Sequence, residues 1–97
     1  MSDVERPGNG ARFAFELLAS EGARARYRVR VVDAAVEAEA EAIVTPDAVE
    51  LGVFEPAIDA WSRKSALAFL EVVQRGWDEE AGWPRRLQRW RQHDPRR

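Results

Sequence analysis

The chain reads as an α+β protein: a four-stranded antiparallel β-meander, one long helix packed on one face of it, and a shorter basic C-terminal helix. Two observations carry this. From Arg12 to Phe54, apolar residues recur at every second position in four runs, which is the period of a half-buried strand. After Pro56 they recur three and four residues apart, which is the period of an amphipathic helix. Strands first and helices afterwards is the order of an α+β fold.

A length of 97 residues fits one domain. Residues 1–10, with Pro7, Gly8, Asn9 and Gly10, read as a flexible leader. Residues 11–92 form the domain, and 93–97 a frayed basic tail.

In the first run Phe13, Phe15 and Leu17 alternate with Ala14, Glu16 and Leu18, and Ser20–Gly22 is a turn signal. The next two runs lie in "RARYRVRVVDAAVEAEAEAIV", Arg24 to Val44. Alanine and glutamate favour a helix over residues 34–43. On a helix, however, Glu37, Glu39 and Glu41 would step by about 200° and scatter around the axis, whereas on a strand they share a face. The period predicts a strand. A tight turn at Asp33–Ala34 then sets Arg30 opposite Glu37, Arg28 opposite Glu39 and Arg26 opposite Glu41. The other face pairs Val31 with Val36, Val29 with Ala38 and Tyr27 with Ala40. Opposite charges on one face and apolar groups on the other select one register.

Thr45–Ala48, "TPDA", is a turn. Val49, Leu51 and Val53 alternate with Glu50 and Gly52, giving a fourth strand that ends near Phe54. The rival is a helix capped by Thr45 with Pro46 at its first position, but Gly52 and the β-branched residues favour the strand. Ile58, Trp61, Ser65, Phe69, Val72 and Val73 then make one helical face, with Ser62 or Ser65 as its cap and Gly76 as its stop. After the acidic loop "WDEEAGWP", Pro84 opens the last helix. Trp83, Leu87 and Trp90 form its stripe, and Arg85, Arg86, Arg89 and Arg91 its charged back.

Charge is unevenly placed. Residues 1–82 hold nine basic and sixteen acidic groups, a balance of −7, while residues 83–97 hold six arginines against Asp94, a balance of +5, which together give the chain's −2. The acidic main body argues against a protein devoted to nucleic acid. No apolar run approaches the roughly 20 residues of a membrane span, and the N-terminus lacks the pattern of a signal peptide. With zero cysteines, a cytoplasmic protein without disulfides is expected.

Little in the chain offers catalytic chemistry. The only histidine is His93, and no serine among Ser2, Ser20, Ser62 and Ser65 sits in a nucleophile elbow. No glycine-rich phosphate loop is present. Arginines facing Glu37, Glu39 and Glu41 favour the charged carboxylates, which makes them poor proton donors. No catalytic, metal or cofactor-binding residue is expected, and no enzyme.

All four tryptophans lie in the last 37 residues. Tryptophan and arginine are enriched at binding hot spots, although a tryptophan in so small a domain also serves the core. The expectation is therefore a non-enzymatic interaction or regulatory module, an adaptor or a toxin-neutralising immunity protein in kind. Trp77, Trp83, Arg85, Arg86, Arg89 and Trp90 would bind an acidic or aromatic-accepting protein surface. Homodimerisation through an edge strand or the tryptophan-rich end is a sub-case. The alternative is nucleic-acid binding through the arginine-rich C-terminal helix, by phosphate contacts and stacking.

Overall fold

The computed structural model describes residues 10–92. Five strands and one helix follow in the order β1 (Gly10–Glu21), β2 (Arg24–Asp33), β3 (Glu37–Val44), β4 (Val49–Leu51), α1 (Ala60–Gly76) and β5 (Arg86–Gln92). The sheet is antiparallel with spatial order β4-β3-β2-β1-β5. The meander is present as expected, but the sheet has a fifth strand where a basic helix was expected. Gly10, expected in the leader, is buried and opens β1. The rest of the leader and the tail with His93 lie outside the described residues.

Alternation sets the two faces. Ala25, Tyr27, Val29 and Val31 of β2 are buried, and so are Ala38, Ala40, Ala42 and Val44 of β3. The arginines and glutamates between them are exposed. On β1, Ala11, Phe13 and Phe15 join the same core. Helix α1 covers this inner face with Ser62, Ser65, Ala66, Leu70 and Val73. Its Phe69 ring meets Phe13 edge-on at 5.1 Å and Phe15 at 6.2 Å. Asp59 caps the helix by accepting from the Ser62 N–H at 2.7 Å, so the cap precedes both serines proposed for it. Asp59 has the extended backbone of an N-cap, whereas Ser62 and Ser65 are needed inside the buried face.

The β2–β3 register differs from the expected one by two residues. Arg30 lies opposite Glu39, Arg28 opposite Glu41, Val31 opposite Ala38 and Val29 opposite Ala40. The turn explains the shift. Asp33 Oδ1 accepts from the backbone N–H groups of both Ala35 and Val36 at 2.7 Å, and the Asp33 N–H donates to the Val36 carbonyl. An aspartate bonded to the backbone two and three residues on occupies the first corner of a turn. Ala34–Ala35 therefore form the bend, in place of Asp33–Ala34. A slip of two preserves the faces, so the charge ladder survives: Arg30 and Arg28 face new residues, while Arg26 still reaches Glu41 diagonally.

The ladder extends over three strands. Arg26 meets Glu41 at 3.3 Å, Arg28 meets Glu16 of β1 at 3.1 Å, and Arg30 meets Glu39 at 2.8 Å. All are about half exposed, so each contributes only ~0.2–1 kcal/mol. The hydrogen bond from Arg30 holds the Glu39 carboxyl below its usual range. That contribution is present above the ordinary carboxylate pKa and is lost as pH falls through the lowered value.

The short strand β4 follows the "TPDA" turn as expected. Thr45 Oγ1 accepts from the N–H groups of Asp47 and Ala48, bonds that a helix cap would also make; the pairing of Val49, Glu50 and Leu51 with Val44, Ile43 and Ala42 is what excludes the helical alternative. The strand stops at Leu51, and Val53, expected within it, is 82% exposed. Pairing resumes only at Glu55, which exchanges backbone hydrogen bonds with Glu39.

Tyr27 is fully buried, and its hydroxyl donates to the Pro84 carbonyl at 2.6 Å. Burial pushes its pKa up to about 12 from 10.0. The folded state therefore keeps a proton that the unfolded chain loses, and stability falls as pH rises from 10 toward 12.

Two outcomes follow. In urea unfolding, Tyr27→Phe costs ~1 kcal/mol at neutral pH and flattens the decline of stability between pH 10 and 12 relative to wild type; equal slopes would contradict the buried phenol. Glu39→Arg costs ~1 kcal/mol, and adding Arg30→Glu restores part of it. If Arg28→Glu restores more, the observed register is wrong.

Candidate partner-binding edge

Trp83 is core: it is 8% exposed, its Nε1 donates to the Gly22 carbonyl at 3.3 Å, and its ring stacks on half-buried Trp77 at 5.6 Å. Together with the Tyr27–Pro84 bond, this fixes the chain leaving α1 against the β1–β2 end of the sheet. From there it runs beside β1. The edge of β1 carries backbone donors and acceptors along a largely buried strand, and pairing them outweighs the helix propensity of arginine, leucine and glutamine. The last segment is accordingly β5 and not a helix, and the expected Trp83–Leu87–Trp90 stripe is divided.

Strand pairing assigns each side chain to a face. Leu87 lies opposite Phe15, Arg89 opposite Phe13 and Arg91 opposite Ala11, on the inner face. Arg86, Gln88 and Trp90 lie opposite Glu16, Ala14 and Arg12, on the outer face. Five of the six expected partner-binding residues therefore separate into three groups. Trp77 and Trp83 build the support, Arg86 and Trp90 belong to the outer face, and Arg89 belongs to the inner face. Arg85 is exposed just before β5, and its carbonyl accepts from the Leu17 N–H at 2.8 Å. Among the described residues, no ion pair joins these arginines to the acidic loop. Asp78 instead accepts from the N–H groups of Glu80 and Ala81 within its own turn.

The Leu17–Arg85 bond fixes the hydrogen-bonding parity of β5. In an antiparallel pair, alternate residues face the neighbour with both backbone groups. Leu87, Arg89 and Arg91 therefore bond to β1, and the N–H and C=O groups of Arg86, Gln88, Trp90 and Gln92 point away from the sheet. No described strand lies beyond them. The Gln88 carbonyl is met by the guanidinium of its neighbour Arg89 at 2.8 Å. The opposite edge is different. Strand β4 has three residues, and Arg63 donates to the Leu51 and Gly52 carbonyls at 2.6 Å each. One edge is three residues long with a side chain bonded at its C-terminal end, while the other presents seven residues.

Beside β5 the helix leaves a groove of about 200 Å³, lined by Phe15, Phe69, Val72, Pro84, Leu87 and Arg89 among others. Val72 is 53% exposed, and the Arg91 guanidinium lies 6.0 Å from the centre of the Phe69 ring. The sequence reading did not place Leu87, Phe69 and Val72 beside a candidate edge, and gave Arg91 only to the charged back of a helix. The available signal was the alternation of Leu87, Arg89 and Arg91 with Arg86, Gln88 and Trp90. On the outer face a second hollow of about 310 Å³ surrounds Ala14. Its Arg28 and Arg30 are already held by Glu16 and Glu39. Ser62 Oγ is buried with no hydrogen-bond partner, so no base is placed to activate it.

No protein-family model matches this chain, and no curated protein and no solved structure is significantly similar to it.

Trp90 is seated on Gly10. A Cβ at residue 10 would lie 2.9 Å from the indole ring and 2.6 Å from the Arg91 carbonyl. Gly10→Ala is expected to cost ~1–3 kcal/mol and to speed amide hydrogen exchange in β5, most at Arg91 and least at Leu87. Unchanged exchange at Arg91 would show that the indole does not occupy that seat.

Proposed function

We propose that this protein is a small interaction module that receives an acidic, extended segment of a partner protein along β5. The observation that carries this is the asymmetry of the two sheet edges. β4 is short and capped by Arg63, whereas β5 turns four residues' backbone groups outward. An unpaired edge is a template for strand addition. Main-chain bonds then supply affinity, and side chains supply selection.

Charge supports an acidic partner. β5 contains Arg86, Arg89 and Arg91 and no acidic residue, and Arg85 precedes it. Among the described residues, none of these four forms an ion pair. In full antiparallel overlap with a second copy, β5 sets Arg89 against Arg89 and gathers six arginines with no acidic residue, and like charges placed opposite each other destabilise a strand pair. A strand rich in aspartate or glutamate meets the reverse condition.

The nucleic-acid alternative draws less from the same residues. A strand sends Arg86 to the outer face and Arg89 and Arg91 to the inner one, so no single row of arginines faces a phosphate backbone. Binding of an oligonucleotide that weakens steeply with added salt would favour that alternative.

Amide hydrogen exchange tests the proposal. The probe is a soluble peptide of about seven residues alternating glutamate with threonine or valine, with a lysine-for-glutamate control. The expected result is slowed exchange at Arg86, Gln88, Trp90 and Gln92 with the acidic peptide alone. Protection confined to the outer charge ladder, or equal protection by both peptides, would reject it.

A further inference from the structure

We propose that the groove between α1 and β5 selects the partner strand by one apolar side chain, with two acidic residues spaced at alternate positions on its N-terminal side. This rests on the strand-accepting reading and specifies what that edge recognises. On the inner face β5 presents Leu87, then Arg89, then Arg91, each two residues from the last. An added strand places its own alternate residues opposite these three. They fall at the non-hydrogen-bonded pairs, because β5 turns its outward backbone groups at Arg86, Gln88 and Trp90. Such pairs bring opposed side chains closest together.

Each position has a chemical demand. The residue opposite Leu87 lies at the open side of the groove, facing Val72, which is 53% exposed, and the rings and aliphatic groups of Phe69, Pro84 and Phe15. A leucine, methionine or phenylalanine there removes apolar surface on both sides from water. The residue opposite Arg89 meets a guanidinium whose only side-chain hydrogen bond among the described residues is to a neighbouring carbonyl. The residue opposite Arg91 meets a guanidinium already held over the Phe69 ring, so a carboxylate there completes a pair without drawing the arginine from its seat.

Direction follows from the sheet. Every pair in it is antiparallel, and antiparallel pairing is the more stable per residue. An antiparallel partner reads Arg91 first and Leu87 last. Its sequence from the N-terminus is then acid, any residue, acid, any residue, apolar, with the intervening positions on the outer face.

Fluorescence-polarisation titrations with four labelled peptides test this. The first carries Glu-Thr-Glu-Thr-Leu. The second replaces Leu by Ser, the third moves Leu one position onto the outer face, and the fourth reverses the order. The first is expected to bind about tenfold more tightly than the second and third, the equivalent of burying one apolar side chain. Val72→Ser, which removes apolar surface at an exposed helix position without adding charge, should reduce the preference for Leu while leaving the Ser peptide's affinity within about twofold. Tighter binding of the reversed peptide would overturn the direction. Equal binding of Leu and Ser peptides, with β5 amides protected, would overturn the groove's role and leave the strand-accepting reading standing. No binding and no amide protection by any of the four would reject both. Protection of the outward amides that grows with protein concentration alone would assign the edge to a second copy.

Discussion

The alternation of Tyr27, Val29 and Val31 with Arg26, Arg28 and Arg30 along β2 is the constraint on which the other elements depend. β2 is the central strand, and only one face of the sheet is covered by a helix. A slip of one residue would put arginines beneath α1 and valines in water, so parity is fixed strongly. β1 and β3 inherit their faces from it by pairing. The helix then takes the inner face because the alanines of β3 and the small Ser62, Ser65 and Ala66 of α1 leave room in the same core. Tyr27 adds a directional element. Its hydroxyl reaches Pro84, so the residue at the centre of the core also guides the return of the chain toward β1.

The period-2 runs made the meander legible, and with it the exposed face of arginines and glutamates. Even the alanine-glutamate run, whose propensity is helical, reveals itself as a strand by spacing alone. Register was less legible. Parity fixes which face each residue takes but leaves slips of two open, and the decision rests on Asp33, whose carboxylate bonds two backbone N–H groups. A turn aspartate in sequence does not announce which corner it occupies. The C-terminal segment was misread for a further reason. "RLQRWRQ" satisfies a helical spacing through Leu87 and Trp90 and a strand alternation equally well. What decides it is non-local: the open edge of β1 and the anchoring of Trp83 and Pro84.

That misassignment changes where function is sought. On a helix, the arginines and tryptophans would form one surface. On β5 they are sorted by parity, and the tryptophans that looked available are partly used up. Trp83 and Trp77 hold the turn into the strand, and Trp90 lies on Gly10. The resource that remains is the backbone edge itself, flanked by an apolar groove on one face and by arginines on both. The sequence pointed to an edge strand without saying which, because an edge is a property of strand order.

An exposed strand edge is ordinarily a hazard, and proteins guard it with charge, brevity or a covering group. Here the two ends of the sheet use different guards. Arg63 bonds the Leu51 carbonyl of β4 and the Gly52 carbonyl just past it, which leaves these two unavailable to an added strand. The arginines of β5 act by charge, and among the described residues only the Gln88 carbonyl is capped by a side chain. Charge discriminates where a cap does not, since it opposes another copy of β5 and attracts an acidic strand, and specificity is a difference between those two energies. The same residues that keep the edge from pairing with itself thus set the chemistry of what it accepts. The Leu87–Val72 groove beside them then distinguishes one acidic strand from another by a single apolar side chain.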